Sequence, residues 1–494
     1  MRPYLIPAAA LIASLGALAP AHAQNVVTYH NTYWRHGGYV VPGLTTAAAA
    51  TLTLDSSFTG AVTGQVYAQP LYYEPGGGKP NLVLVFTETN QVTALNATTG
   101  AVVWQQNGLP QANQNGNAPC GDISPEGITG TPVIDPVAKV VYFDAVIATG
   151  AAHKIYALSL ADGSIVSGWP IDVATGVTAL GGAFANAAQG QRGAALFLNG
   201  ALYIGFGGKA GDCGSYHGTV VEVAPATHKI AAYWSTTANG GGIWSQASLS
   251  SDGKFIYAST GNTIGASAWS RGEAIIRLTA GLANHSNTAD YFAPADWQTL
   301  DGEDLDLGGT GGMPLSVHLT AAKTVPRLIE FGKDGNAYLM NRSNLGGIGG
   351  ELNVTPASKT QIKTAPVTYT LGATTMVAFF SQSGIECSGR SVTAIAVAGS
   401  GTAPLTTKWC TPVTSNDTAP IVTTSDAAGD NPIIWVVDAE GDNVLHALNA
   451  STGAILYSGP AMTGLHHFQT LIAAGGHLYV AADNRVYAYS FTPG

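Results

Sequence analysis

One set of side chains that could together hold a ligand or move a proton is widely spaced in this 494-residue chain. It comprises Gln65, Tyr67 and Gln69, then Glu126, Arg192, Trp244 and Gln246, then Asp304 and Asp306, and near the end the adjacent His466 and His467. Carboxylates and imidazoles transfer protons when held within hydrogen-bond reach of a substrate, and carboxylates with amide oxygens bind hard cations. A hydrolase or lyase built on His466, His467 and Glu126 has no nucleophile motif behind it. The four cysteines form neither a Cys-x-x-Cys-His haem site nor a cluster with zinc spacing. What remains is a binding site, made only if something brings these distant residues together.

The element that does so is a repeat. Val92-Thr-Ala-Leu-Asn-Ala-Thr-Thr-Gly-Ala-Val-Val-Trp104 returns as Val444-Leu-His-Ala-Leu-Asn-Ala-Ser-Thr-Gly-Ala-Ile-Leu-Tyr457, with looser copies at Lys154 to Val166, Thr219 to Trp234 and Arg485 to Phe491. Each copy reads as strand, tight turn, strand, and the period of roughly 45 residues is that of a four-stranded propeller blade. Short alternating strands bounded by Gly, Asn, Asp and Pro, with no convincing amphipathic helix, predict an all-β fold. Blades are expected over 64–107, 124–170, 190–236, 242–293, 308–352, 370–410 and 416–461, with a three-strand set over 465–491. The missing outer strand is expected from about Thr51 to Asp55, which closes an eight-bladed β-propeller of four-stranded antiparallel blades. Seven blades are the alternative. Closure by strands from both ends removes an exposed sheet edge. In such a ring one face carries both the loops between blades and those joining each second and third strand, and the polar residues fall there.

Residues 1–23 have Arg2, an apolar run from Leu5 to Ala19 and Pro20-Ala-His-Ala23, the form of a cleavable secretory leader. Residues 24–49 are read as an extension that packs through Tyr33-Trp34-Arg35, and 50–494 as the propeller. The mature protein is therefore expected to be secreted, periplasmic or extracellular. No later apolar run reaches the roughly 18 residues of a membrane span. A net charge of -10 with 10% charged residues leaves no basic surface for nucleic acid or anionic lipid. An oxidising compartment favours disulfides, and the blade scheme pairs Cys120 with Cys213 and Cys387 with Cys410.

The phrase from Ala94 to Trp104 resembles the repeat of the pyrroloquinoline quinone (PQQ) dehydrogenases and their propeller relatives, and this likeness extends over nearly the whole mature chain. Tryptophans of that repeat dock neighbouring blades, which implies this role for Trp104, Trp234 and Trp409. Gly332-Lys-Asp-Gly-Asn-Ala-Tyr-Leu-Met-Asn-Arg-Ser-Asn-Leu-Gly-Gly347 looks like the family segment whose lysine faces the quinone carbonyls, which implies Lys333. An ammonium there stabilises charge that develops as a quinone is reduced. Ser259-Thr-Gly-Asn-Thr263 resembles the stretch whose asparagine oxygen binds calcium, implying Asn262. Gly207-Gly-Lys-Ala-Gly-Asp212 resembles the stretch ending in a metal-binding glutamate, with the shorter Asp212 in its place.

There are departures. Cys120 precedes Gly121 where the family's alcohol dehydrogenases have adjacent cysteines, and Glu126 stands where an arginine is expected. Glu273 is the only carboxylate in the segment where the family has its base aspartate. The resemblance implies PQQ and Ca²⁺, with Asp212, Asn262 and Glu273 around the metal and Lys333 at the quinone, and the blade scheme adds Trp244, Glu126 and Arg192 as cofactor contacts. Glu273 or Asp304 would take the proton of an alcohol or sugar hydroxyl, and electrons would leave to a separate acceptor. Cofactor-free relatives carry the same repeat, so the other expectation is a propeller that binds a protein, peptide or glycan at the channel mouth.

Overall fold

Short strands that are apolar on both faces need a sheet against each face, and eight sheets standing around a common axis supply it to one another. The computed structural model describes residues 25–114, 120–283, 287–320, 322–401 and 404–492, so the leader expected over 1–23 lies outside it. In blade one the strands run Leu71–Tyr73, Leu82–Phe86, Val92–Asn96 and Val102–Gln106 from the axis outward. Leu82–Phe86 is buried throughout because neighbouring blades cover both faces, whereas only Trp104 of the outer strand is buried. Its indole N–H donates to the Leu160 carbonyl of blade two at 3.2 Å, and Trp409 does the same to Ala450 of blade seven at 2.8 Å. Trp234 is buried beneath the Arg271 guanidinium instead.

Eight blades close the ring. The last holds Ile472–Ala474, His477–Ala482 and Arg485–Ser490, completed by Thr53–Leu54, with Thr53 opposite Ser490 and Leu54 opposite Tyr489. The closing strand is shorter than expected. Blade bounds also shift: the outer strand of blade two is Ile171–Asp172, and the inner strand of blade six starts at Val367. In blade five, Gly347–Ile348 is taken up as a fifth strand on blade four, so Asn353–Pro356 becomes the outer strand. The fold is all-β as expected, with only three short α-helices among the described residues, Thr46–Ala49, Val173–Ala179 and Trp297–Glu303. None of the described helices is long and apolar enough to cross a membrane.

The segment before the closing strand follows the ring. Val26 pairs with Tyr72, Val27 with Ile134, Tyr33 with Ser251 and His36 with Thr368, before Gly38–Val40 lies parallel to Val422–Thr424. Tyr29 is enclosed by Ala194, Ala247, Ala365 and Ala419, each two residues before an inner strand, so the ring's centre is filled. Arg35 is 1% exposed. It donates to the Leu249, Tyr29 and Ala195 carbonyls at 2.9, 3.1 and 3.1 Å and to the Thr28 hydroxyl at 2.6 Å. It meets no carboxylate among the described residues, and burial lowers its pKa to about 9.

Candidate functional site

The opposite end of the ring is open. A cavity of about 380 Å³ lies on the face carrying the between-blade loops and the second-to-third-strand loops, within the range of small-molecule sites. Between-blade loops bring Arg192, Trp244, Asp304 and Asp306 to it. Second-to-third-strand loops bring Asp212, Asn262 and Lys333, and His467 reaches the rim.

Lys333 is the hub. Its Nζ donates to Asp304 Oδ1 at 3.0 Å and pairs with Asp306 Oδ2, while its backbone N–H holds the Asp306 carbonyl at 2.9 Å. Asp306 Oδ1 accepts the Asn262 N–H at 2.7 Å, and Asn262 Nδ2 donates to Asp304 at 2.7 Å. Glu273 accepts the Leu307 N–H at 2.6 Å, and Asp301 accepts from the Thr263 N–H and hydroxyl at 2.7 and 2.6 Å. Four carboxylates thus surround one ammonium. Burial and then the neighbouring Asp306 charge push the Glu273 carboxyl well up, and burial pushes Asp306 up against the pull of Lys333. For Lys333, burial works downward, but the two aspartates outweigh it and raise the ammonium's pKa. Asn262 Oδ1 and Glu273 Oε1 are buried with no hydrogen-bond partner. An orphaned buried oxygen costs about 1–3 kcal/mol, and a cation would satisfy both.

Local backbone builds this cluster. Asp304 caps helix Trp297–Glu303 in the left-handed region at φ +55°, and Asp212 and Glu273 sit there too, at +47° each. Such conformations are costly for residues with a Cβ and collect at functional sites. Gly261 has no side chain because a Cβ would lie 2.1 Å from Asp306 Oδ1, where the carboxylate reaches the next residue's N–H. The Trp244 indole lies beside the cluster, with Lys333 Nζ 5.3 Å and the Arg192 guanidinium 5.8 Å from its ring centre.

Other candidates lie apart. Asp212 lines the cavity and accepts from the Tyr216 hydroxyl at 2.6 Å. Glu126 is buried behind the wall, paired with Lys209 at 2.5 Å. Gln69 accepts the His30 N–H at 3.0 Å and so anchors the N-terminal segment. His466 stacks on Tyr67 and pairs with Asp483 at 2.8 Å, while His467 pairs with Glu440 at 2.8 Å. Glu126, His466 and His467 are each held by a separate partner, so the acid–base trio is not assembled. Of the two aspartates, the Asp304 side chain is 72% exposed and that of Asp306 only 8%, which makes Asp306 the enclosed one. The sequence reading missed Lys209, and also Lys363, which pairs with Asp417 at 2.8 Å on the cavity wall. Lys209 lies inside the Gly207–Asp212 phrase, and Lys363 occupies the between-blade position that marked Arg192 and Trp244.

Cys387 and Cys410 form a disulfide with a Cα separation of 5.9 Å. The expected bond between Cys120 and Cys213 is not present. The Cys213 N–H instead donates to Cys120 Sγ at 3.0 Å.

A family model described as outer membrane protein assembly factor BamB, of the PQQ-repeat type, matches residues 58–273. No curated protein matches the sequence. Among solved structures, a quinohemoprotein alcohol dehydrogenase from Pseudomonas putida HK5 is 14% identical with a TM-score of 0.65, over 95% of this chain and 81% of that one. A europium-containing methanol dehydrogenase is 14% identical with a TM-score of 0.64, over 94% and 98%. BamB from Moraxella catarrhalis is 14% identical with a TM-score of 0.53, over 89% and 100%. At these identities the likeness is one of fold. With its repeats and its eight closed blades the chain is an eight-bladed β-propeller, and its residues 58–273 match the PQQ-repeat family model.

Proposed function

We propose that the cavity binds PQQ together with calcium and that the protein, exported by its leader, oxidises the hydroxyl of an alcohol or sugar. The observation that carries this reading is the Lys333 cluster, in which surplus carboxylates and two orphaned oxygens border an indole in one small cavity. Asn262 Oδ1, Asp212, Glu273 and Asp304 would hold the cation, a hard oxygen set of the kind calcium takes. Bound PQQ would supply a quinone able to accept two electrons. Trp244 offers a flat apolar surface for a planar ring. Arg192, which meets no carboxylate among the described residues, offers charge to an anionic group on the ligand.

Asp306 is the base this geometry favours over Glu273 or Asp304. It is enclosed, one of its oxygens is fixed by the Asn262 N–H, and the other faces Lys333. A hydroxyl presented to it would pass its proton to this carboxylate, whose charge the ammonium favours. Lys333 can also donate to an oxygen that gains negative charge. Electrons would leave to a separate acceptor. The names of two structural relatives, an alcohol dehydrogenase and a methanol dehydrogenase, agree with this substrate class.

A second reading rests on the family match over 58–273, whose description is that of an assembly factor. On it the mouth around Tyr67, Glu126, Trp244 and His466 binds a protein, peptide or glycan without a cofactor. Dye reduction by the protein supplied with PQQ separates the two, using a panel of alcohols and aldoses with calcium or a trivalent lanthanide as the ion. The dehydrogenase reading expects turnover of at least one substrate and its loss in Lys333→Ala. Absence of PQQ binding and of turnover would leave the binding reading.

A further inference from the structure

One wall of the cavity consists of two loops that touch without being joined. The loop leading into blade two carries Cys120 and Asp122, and the blade-three hairpin carries Lys209, Asp212 and Cys213. They meet through the Gly121 N–H on the Ala210 carbonyl at 2.8 Å and the Cys213 N–H on Cys120 Sγ at 3.0 Å. The contact is tight, since a Cβ on Gly211 would lie 3.3 Å from that of Cys120. Cys120 is buried and Cys213 is partly exposed.

We propose that Cys120 and Cys213 are a redox-controlled clasp, closing as a disulfide across this wall and opening on reduction. Rotation about the Cα–Cβ bond of Cys213 carries its sulfur toward that of Cys120, which already lies against its backbone. In closing, the two thiols give up two protons and two electrons and one S–S bond forms. A disulfide oxidant, reached through the exposed Cys213, is reduced to its dithiol. In opening, a dithiol reductant reverses the exchange. The clasp ties the short turn that presents Asp212, left-handed at φ +47°, to the neighbouring blade. The other ties across this wall are hydrogen bonds and the Lys209–Glu126 ion pair. Opening it leaves the turn held by these alone, so the wall loosens while the blades stay intact.

The test uses the full exported chain with no PQQ added, so its outcome is independent of the dehydrogenase reading. Alkylation before reduction, followed by peptide mapping, is expected to show no reactive thiol and a Cys120–Cys213 linked peptide. Amide hydrogen exchange at 120–123 and 209–213 is expected to rise at least tenfold on reduction. Because reduction also opens Cys387–Cys410, Cys213→Ser kept under oxidising conditions isolates the clasp, and it is expected to show the raised exchange with unchanged thermal unfolding. Two alkylatable thiols in the oxidised protein, linkage of either residue to Cys387 or Cys410, or equal exchange in wild type and Cys213→Ser would overturn the proposal.

Discussion

Each end of the ring encloses a cation, and the surroundings differ in kind. At the filled end, Arg35 places its guanidinium on three backbone carbonyls and a hydroxyl and meets no carboxylate among the described residues. At the open end, Lys333 has two aspartates as direct partners, with Glu273 and Asp301 close by and the oxygens Asn262 Oδ1 and Glu273 Oε1 left over. The first network is complete and acts as a fastener, because a guanidinium can satisfy several backbone carbonyls at once. The second has more acceptors than donors, which is unfavourable unless a further cation arrives.

The largest expected effect is at the fastener. Arg35→Met removes every one of those donors and leaves the Leu249 carbonyl without its side-chain donor and the Ala195 carbonyl with only the long Thr28 contact, so denaturant unfolding should show a loss of about 3–5 kcal/mol. Deleting residues 24–58 removes the closing strand as well and should prevent folding. A stable Arg35→Met protein would erase the contrast between the two ends.

Between the extremes lies Glu330 of blade five, a fully buried carboxyl with hydroxyl donors from Ser259 and Thr310 at 2.6 and 2.5 Å and no cation among its partners. Burial raises its pKa from 4.5 to about 7. The folded form therefore keeps its proton where the unfolded chain has lost it. Its contribution to stability is complete below about pH 4.5 and is lost as pH rises through about 7, amounting to roughly 3 kcal/mol by pH 8. Glu330→Gln should remove that share of the decline in unfolding measurements from pH 5 to 8. An unchanged slope would show that the carboxyl is already ionised.

Smaller effects are expected at the open end. Asn262→Ala should weaken calcium binding about tenfold, roughly 1.4 kcal/mol, with the fold intact, as read by calorimetric titration. Lys333→Ala leaves the enclosed Asp306 without its ammonium, so its melting temperature should depend on calcium more steeply than that of wild type, by an amount set by the ion's concentration relative to its Kd. Calcium that stabilised wild type and Asn262→Ala equally would place the ion elsewhere.

The legible parts of this molecule are local ones. Strand, turn and strand lie within one repeat phrase, so the blade period shows in Val92–Trp104, and the three-strand set at the C-terminus announces a partner from the other end. Lys333 and Asn262 lie in short phrases, and the structure brings both to the wall of one cavity. Which of Asp304 and Asp306 is enclosed was not legible, because it depends on the short helix Trp297–Glu303 and a left-handed turn at its end. Neither leaves a periodic signal. Glu126 with Lys209 joins positions 83 apart, and Arg35 reaches Leu249 across 214 residues, contacts that exist only once the ring has closed.

The central claim, that the surplus acceptors around Lys333 form a metal and quinone site, is tested most directly by titrating the wild-type protein with PQQ while following the cofactor's absorbance, with and without calcium. A saturable spectral change at one PQQ per chain, strengthened by calcium and weakened in Asn262→Ala, is expected. A spectrum unchanged at micromolar PQQ and excess calcium, in protein shown to be folded, would contradict that claim.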